Sequence, residues 1–512
     1  ANPTTFVAPL HWSKQKGVRK YRLQIAGDEH FDDVRFDGPV IGERYVVRDL
    51  PPGRYYWRIA PSASQTREYH RPVAFTVPGA VPDINKVAEK TDRRIPAVDS
   101  GWLATTGDVA APMPASLQTG SDADFIGVNS QGTVYALDGS RGVALWTAIY
   151  KSNAFSKTLI AVSPFRPLVS RVRHGSSIIP IVIVAYDGGV RALNGTTGQE
   201  LWRAELLGSA RAGVVTEASS PASKAYLIVD NIERGSALVV MSTSSGRIDA
   251  QTKIAGQLIN NAIGPPVLFG SKSRPSVLVP LMGGAIAVYD AAGQLLRTIQ
   301  TGADITAAPV VVETLERKLM LVGTRKGLAV FSAEDDTAGL KWPQYIELGG
   351  EQTVRSLAEA DVDGNGIPKV VAITNGGING GTNGSANDVR VSLVDPYQMK
   401  VMWSVDSAII ASGAGSAAFA DVNNDGRLDV LLPGRDDFAV ALSGTNGSII
   451  WKSHVAIPTS PTDSRGQSRP QLRSLAVTTL SSGHIILVGS DVASGGLRAI
   501  EVTPTTGTSN VR

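Results

Sequence analysis

Beyond about residue 95 the chain consists of apolar stretches of strand length, each closed off by a polar turn that carries glycine. The stretches repeat. Val134-Tyr-Ala-Leu-Asp138-Gly-Ser-Arg-Gly142-Val-Ala-Leu-Trp146 returns as Val190-Arg-Ala-Leu-Asn194-Gly-Thr-Thr-Gly198-Gln-Glu-Leu-Trp202 and as Val440-Ala-Leu-Ser443-Gly-Thr-Asn-Gly447-Ser-Ile-Ile-Trp451. Fainter copies begin at Val239, Ile286, Leu328 and Val391. Each unit has one grammar: a first strand, an apolar strand, a glycine turn such as Gly188-Gly189 or Gly283-Gly284, the strand V-x-A-L-D, a second glycine turn, and a strand opening with Trp. First strands are expected near 110, 159, 213, 262, 305, 354, 415 and 472, giving eight units of roughly 43–61 residues. Four-stranded units of that length arranged radially make a β-propeller, with seven blades the alternative if one faint unit is an insertion.

The last unit runs out of chain near its third strand. Val98-Asp-Ser-Gly101-Trp102-Leu-Ala, just before the first unit, has its own Gly-Trp and is expected to supply the missing outer strand, closing the ring and hiding its edges. Six of the eight tryptophans (102, 146, 202, 342, 403 and 451) occupy the repeat position and are expected to pack between sheets.

Residues 1–80 alternate differently. Tyr21-Arg-Leu-Gln-Ile25, Tyr45-Val-Val, the run from Gly53 through Tyr55-Tyr56-Trp57 to Ile59, and Val73-Ala-Phe75 predict a small all-β domain with Trp12 and Trp57 in its core. Residues 81–94 are polar and weakly patterned, a linker. The expected organisation is therefore 1–80, a β-sandwich; 81–94, a linker; 95–512, a propeller, all-β throughout.

Composition agrees with many short strands and turns: 43% hydrophobic, 19% charged, 53 Gly and 29 Pro among 512 residues. A formal net charge of +3 gives no field that would steer the chain to nucleic acid or anionic lipid. The absence of cysteine excludes disulfides and thiolate metal sites. No apolar run reaches ~18 residues, so no membrane span is expected. Residue 1 is Ala, which suggests a trimmed chain and export with removal of a signal peptide.

Candidate chemistry concentrates in two loops. Asp421-Val-Asn-Asn-Asp-Gly-Arg-Leu-Asp429 sets Asp421, Asn423, Asp425 and Asp429 at positions one, three, five and nine, with Gly426 at the corner and the carbonyl of Arg427 at position seven. Alternate oxygen ligands suit a hard cation, and Ca²⁺ takes about 6–8 oxygens. Val430-Leu-Leu follows in place of a helix, so the loop joins two strands and is not an EF-hand. A plain Asp/Asn/Gly turn is the alternative, though its carboxylates would repel one another without a cation. The second copy, sixty residues earlier, keeps Asp361, Asp363, Asn365 and Gly366 but has Lys369 at position nine, where an ammonium could occupy the cation's place. The six histidines are scattered without metal-ligand spacing, and no Gly-x-Ser-x-Gly elbow occurs. The glycine-rich run Asn375–Gly384 lacks a Gly-Lys-Ser/Thr ending, so 375–388 is expected to be a long inter-strand loop and a contact surface.

The A-L-D…G…L-W repeat resembles the quinoprotein-type (PQQ-like) propeller repeat, and the two Asp-rich loops resemble the FG-GAP or VCBS calcium loops. Together these cover about 95–503. The segment from Tyr21 to Ala60 resembles a fibronectin type III-like module, which implies an adapter. The resemblance implies structural Ca²⁺ on Asp421, Asn423, Asp425, Arg427 (carbonyl) and Asp429, and on Asp361, Asp363 and Asn365 of the loop that Lys369 interrupts. PQQ is not expected: that family often sets a vicinal disulfide against the cofactor, and this chain has no Cys. The repeat is specific for fold and poor for function, being shared by dehydrogenases and by non-catalytic scaffolds. The expected function is a non-catalytic, exported (periplasmic, cell-surface or extracellular) scaffold or accessory subunit with protein partners in an envelope or surface assembly. The alternatives are a quinoprotein-like oxidoreductase and a carbohydrate-binding or carbohydrate-active propeller, with glycan as the second candidate ligand.

Overall fold

A computed structural model describes residues 7–504 except 14, 16–17, 19, 49–52, 62–68, 78–96, 107–108, 110–111, 119–122, 130–131, 150–165, 175–176, 187, 217–222, 232, 255–263, 272–273, 315–316, 334–342, 349–352, 376–388, 408–409, 411–416, 435–437, 455–474 and 492–495. The expected linker 81–94, Trp342 and all but the first residue of the 375–388 loop lie outside the described residues. The chain divides into two compact units, Ala1–Arg93 and Arg94–Arg512. Every regular element among the described residues is a strand. Among the described residues no helix is long and apolar enough to cross a membrane.

The first unit has a four-stranded sheet in the order Val34–Ile41, Lys20–Ala26, Gly53–Pro61, Val73–Val77, and a two-stranded sheet of Val7–His11 with Arg44–Arg48. Alternation in Lys20–Ala26 explains its two faces. Tyr21, Leu23 and Ile25 are buried, whereas Arg22 reaches out to Asp37 at 2.6 Å. Leu10 and Val47 from the small sheet join Tyr21, Leu23, Ile25, Tyr55, Trp57 and Ile59 in one core. Trp12 lies against that core, 5.8 Å from Tyr21 and 6.1 Å from Trp57 between ring centroids, so both tryptophans of this unit are packing residues.

The second unit contains eight four-stranded antiparallel sheets among the described residues. Seven are consecutive strands within 113–148, 168–205, 209–253, 267–300, 305–346, 353–407 and 418–454. The eighth is Leu475–Thr479, Ile485–Asp491 and Gly496–Thr503 with Ala97–Ala104 as its fourth strand. First strands begin within a few residues of expectation except the second, which starts at Leu168 and not near 159; the intervening 150–165 lies outside the described residues.

Middle strands are buried on both faces, as in Ala225–Val229 and Leu238–Met241, because each sheet is sandwiched between two others. The clusters show this pairwise. Ile126, Ala136 and Trp146 of the first sheet meet Val182, Val184 and Leu193 of the second. The series continues from sheet to sheet until Ile486, Val488 and Leu497 of the eighth meet Phe125 and Leu137 of the first. The hydrophobic core is therefore a closed circuit of inter-sheet seams, and the unit is a β-propeller.

The repeated residues have repeated roles. The third strand bulges before its last apolar residue, between Ala136/Leu137, Ala192/Leu193, Val240/Met241, Leu393/Val394 and Ala441/Leu442. The following turn places a glycine at positive φ: Gly142, Gly198, Gly246 and Gly447 at 66°, 72°, 70° and 73°. The Trp of the preceding sheet lies flat on that glycine, and its indole N–H donates to a backbone carbonyl in the same turn. The acceptors are Gly139 for Trp102 (3.0 Å), Gly195 for Trp146 (2.7 Å), Thr243 for Trp202 (2.9 Å) and Gly444 for Trp403 (3.0 Å).

Candidate metal centre

The two Asp-rich loops join the first and second strands of neighbouring sheets. Thr353–Ala360 leads through 361–368 into Lys369–Asn375, and Ala418–Ala420 leads through 421–428 into Asp429–Pro433. Ala360 pairs with Lys369 and Ala420 with Asp429, so position nine is the first ladder residue of the second strand in both. Positions four and six have positive φ in both, Gly364 (65°) and Gly366 (77°) in one, Asn424 (52°) and Gly426 (82°) in the other. Gly and Asn are the residues that tolerate this conformation.

The first aspartate winds each loop. Asp421 accepts the N–H of Asp425 (3.0 Å) and of Gly426 (2.8 Å) on its two oxygens. Asp361 accepts from Asn365 (3.0 Å) and Gly366 (2.7 Å) in the same way. Asp425 Oδ1 accepts the N–H of Arg427 at 2.9 Å and its Oδ2 the amide of Asn423 at 3.2 Å. The Arg427 guanidinium turns to the Thr445 hydroxyl at 3.3 Å.

Asp429 is fully buried and accepts the N–H of Val422 (3.1 Å) and of Gly444 (3.3 Å), tying the loop to the turn after the third strand. Burial pushes its carboxyl up to about 7. The nearby Asp425 and Asp421 push the same way, against the pull of the two backbone N–H groups. Acids held this close favour a neutralising cation, and the oxygens of Asp421, Asn423, Asp425, Asp429 and the Arg427 carbonyl are the hard donors that suit Ca²⁺. As the loop stands, wound on its own hydrogen bonds, no group of three or more His, Cys, Asp or Glu among the described residues is gathered to hold a metal ion.

Lys369 departs from that donor set. It is 2% exposed, and its ammonium donates to the Ile367 carbonyl at 3.0 Å. It lies 3.4 Å from Asp363 Oδ1 and 3.7 Å from Asp395 Oδ2. The ammonium thus stands among the oxygens of its own loop.

Three features of the site go beyond the sequence reading. The loops abut: the N–H of Leu428 donates to the carbonyl of Val362 at 2.9 Å. Gly444 lies so close to Leu428 and Val362 that a Cβ there would fall 2.1 Å from the Leu428 oxygen. Asp395 and Ser443, the fifth-position residues of the V-x-A-L-D strand, stand opposite Lys369 and Asp429, one step beyond the pairs Val370–Val394 and Val430–Leu442, with Asp395 Oδ2 3.7 Å from the Lys369 ammonium. The only signal for that facing was the repeat itself, and it needed the register.

Comparison with known proteins bears on the fold around this site. A family model described as outer membrane protein assembly factor BamB matches residues 53–294, just under half of the chain. No curated protein matches the chain in sequence. Among the solved structures that resemble it are the following three. A europium-containing methanol dehydrogenase is 11% identical, over 79% of this chain and 93% of that one, with a TM-score of 0.52. The C-terminal WD40 domain of Sif2 is 12% identical, over 81% and 99%, also at 0.52. The quinohemoprotein alcohol dehydrogenase ADHIIG from Pseudomonas putida HK5 is 12% identical, over 80% and 77%, at 0.50. At such identities the likeness shows the propeller fold alone; what the chain adds is a stretch, 53–294, similar to the outer membrane assembly factor family.

Proposed function

We propose that this protein is a protein-interaction propeller, an exported accessory subunit or scaffold in an outer-membrane or other envelope assembly. The match of residues 53–294 to the BamB family model carries this reading. The closed circuit of seams supports it physically, since a rigid ring presents its connecting loops as a fixed contact surface. Each four-stranded sheet is read as one blade, making eight. The fibronectin type III-like unit before the ring serves as an adapter. Ca²⁺ on Asp421, Asn423, Asp425, Asp429 and the Arg427 carbonyl neutralises the crowded acids and stiffens the seventh blade; the centre is structural.

Affinity isolation of the native protein from its own envelope, in calcium, tests the reading. The expected result is a stoichiometric complex containing outer-membrane assembly components that re-forms from purified parts. A solitary protein that releases a quinone absorbing in the near ultraviolet and visible would replace it with an oxidoreductase. A solitary protein without cofactor would end the assembly reading.

A further inference from the structure

We infer that loop 361–369 carries its own cation: the Lys369 ammonium takes the place that a divalent ion takes in its twin, so the two loops hold one Ca²⁺ between them and not two. The count of one rests on the Ca²⁺ reading of loop 421–429, whereas the role of Lys369 does not.

The two loops share their winding, their positive-φ positions and the hydrogen bonds of their first aspartate. They differ at position nine, where one buried residue is a lysine and the other an aspartate. The Lys369 ammonium meets the position-seven carbonyl of Ile367 and the position-three carboxylate of Asp363, two members of the donor set that a cation would use. Asp363 Oδ1 is buried and accepts no hydrogen bond, and the ammonium 3.4 Å away is the charge that answers it.

The residue facing position nine changes with it. One step beyond the pairs Val370–Val394 and Val430–Leu442, Asp395 stands opposite position nine in one ladder and Ser443 in the other, and Asp395 Oδ2 lies 3.7 Å from the Lys369 ammonium. A cation at position nine is met by an anion across the ladder, and an anion by a neutral hydroxyl residue. This second exchange is what a loop built around an internal ion pair requires, because a buried ammonium without a paired carboxylate is strongly unfavourable. The contact between Leu428 and Val362 gives the exchange a further use: two acidic loops that touch repel less when one supplies its own positive charge.

The test uses the full chain and Ca²⁺ alone, by calorimetry and by melting temperature. Wild type is expected to bind one Ca²⁺, and Asp421→Asn/Asp425→Asn none. Adding Lys369→Asp with Asp395→Ser to that silenced protein, which copies the 429/443 pair, should restore one site. Lys369→Met in the silenced protein should melt lower than its parent in EDTA, and Ca²⁺ should recover part of the loss. If the silenced protein still binds one Ca²⁺ and loses it on Asp361→Asn/Asp363→Asn, the loop is a metal site and the inference is wrong. An unchanged melting temperature for Lys369→Met in EDTA also overturns it, and this arm stands even where the Lys369→Asp pair fails to fold. A wild type that binds no Ca²⁺ removes the reading of 421–429 and leaves the Lys369→Met comparison to decide the lysine's role.

Discussion

One aspartate can fix a turn by charge as well as by shape, and Asp138 does both. Its carboxylate accepts the N–H groups of Ser140 and Arg141, the Ser140 hydroxyl, and the Arg141 guanidinium at 2.8 Å. The bond from the Arg141 side chain, foremost, and then that from Ser140 hold the carboxyl down to about 2, against an ordinary 3.8. A carboxyl depressed in the folded state adds stability above the unfolded value of 3.8 and loses it as the pH falls toward about 2. Asn194 builds the same turn without charge, accepting from Thr196 and Thr197. Asp138→Asn should therefore lie slightly below wild type in urea midpoint at neutral pH, with the gap closing below about pH 4. A gap that persists unchanged to the acid end would assign the effect to geometry. In the proposed calcium loop Asp421 and Asp425 would act by charge on a ligand. Ca²⁺ that binds only the folded state stabilises it by mass action, about 2.7 kcal/mol at a hundredfold excess over Kd. The melting temperature should rise with Ca²⁺ and fall with EDTA, and Asp421→Ala/Asp425→Ala should abolish the response. Indifference to EDTA in protein shown to be metal-free would refute a stabilising ion.

Between neighbouring sheets the recurrent device is a tryptophan laid on the next turn's glycine. A Cβ on Gly198 would fall 2.7 Å from the Trp146 ring, at a φ of 72° that already disfavours side chains. Gly188 has a similar φ of 80° with open space around it. Both Gly188→Ala and Gly198→Ala should incur the backbone strain of about 1–3 kcal/mol, and only Gly198→Ala the displacement of the indole. Urea unfolding of both variants separates the two effects; equal losses would mean the ring moves freely. The third sheet shows why its copy of the repeat is faint. Ala250 stands where the first, second, sixth and seventh sheets have Trp, and its ladder partner is Val240 where Trp146, Trp202 and Trp451 have Ala136, Ala192 and Ala441; Trp403 departs from this, facing Leu393. In the third sheet a larger residue on one strand answers a smaller one opposite. Such devices were legible because they repeat as residue types. The abutting of loops 361–369 and 421–429 was not, since it is made by the main-chain atoms of Val362 and Leu428 and exists only once two sheets are side by side. The pairing of Lys369 with Asp395 was half legible. The lysine stood out in the motif, but its partner lies across a ladder whose register the sequence leaves open.

At the scale of the whole ring, the decisive contact joins residues about four hundred positions apart. Ala97–Ala104 pairs antiparallel with Gly496–Thr503, Val98 against Val502 and Leu103 against Arg498. It thereby covers the edge that the last three strands would expose, and Trp102 then reaches Gly139 in the first sheet. The Gly-Trp pair made this strand legible in advance, because it repeats a signature in a place where the last unit lacks one. The glycine has its own reason. A Cβ at Gly101 would fall 2.6 Å from the backbone oxygen of Ala499, and main chain, unlike a flexible side chain, cannot swing aside. Gly101→Val should therefore lift the closing strand off the eighth sheet while leaving the other seven sheets their own pairings. The expected outcome is a lower melting temperature and self-association through the freed edge of Gly496–Thr503, seen by size-exclusion chromatography with light scattering. Trp102→Ala, which keeps the strand and removes its packing on Gly142 and its reach to Gly139, should lower the melting temperature without self-association. A monomeric Gly101→Val protein that melts with wild type would mean that the inter-sheet seams hold the ring shut without the strand's help.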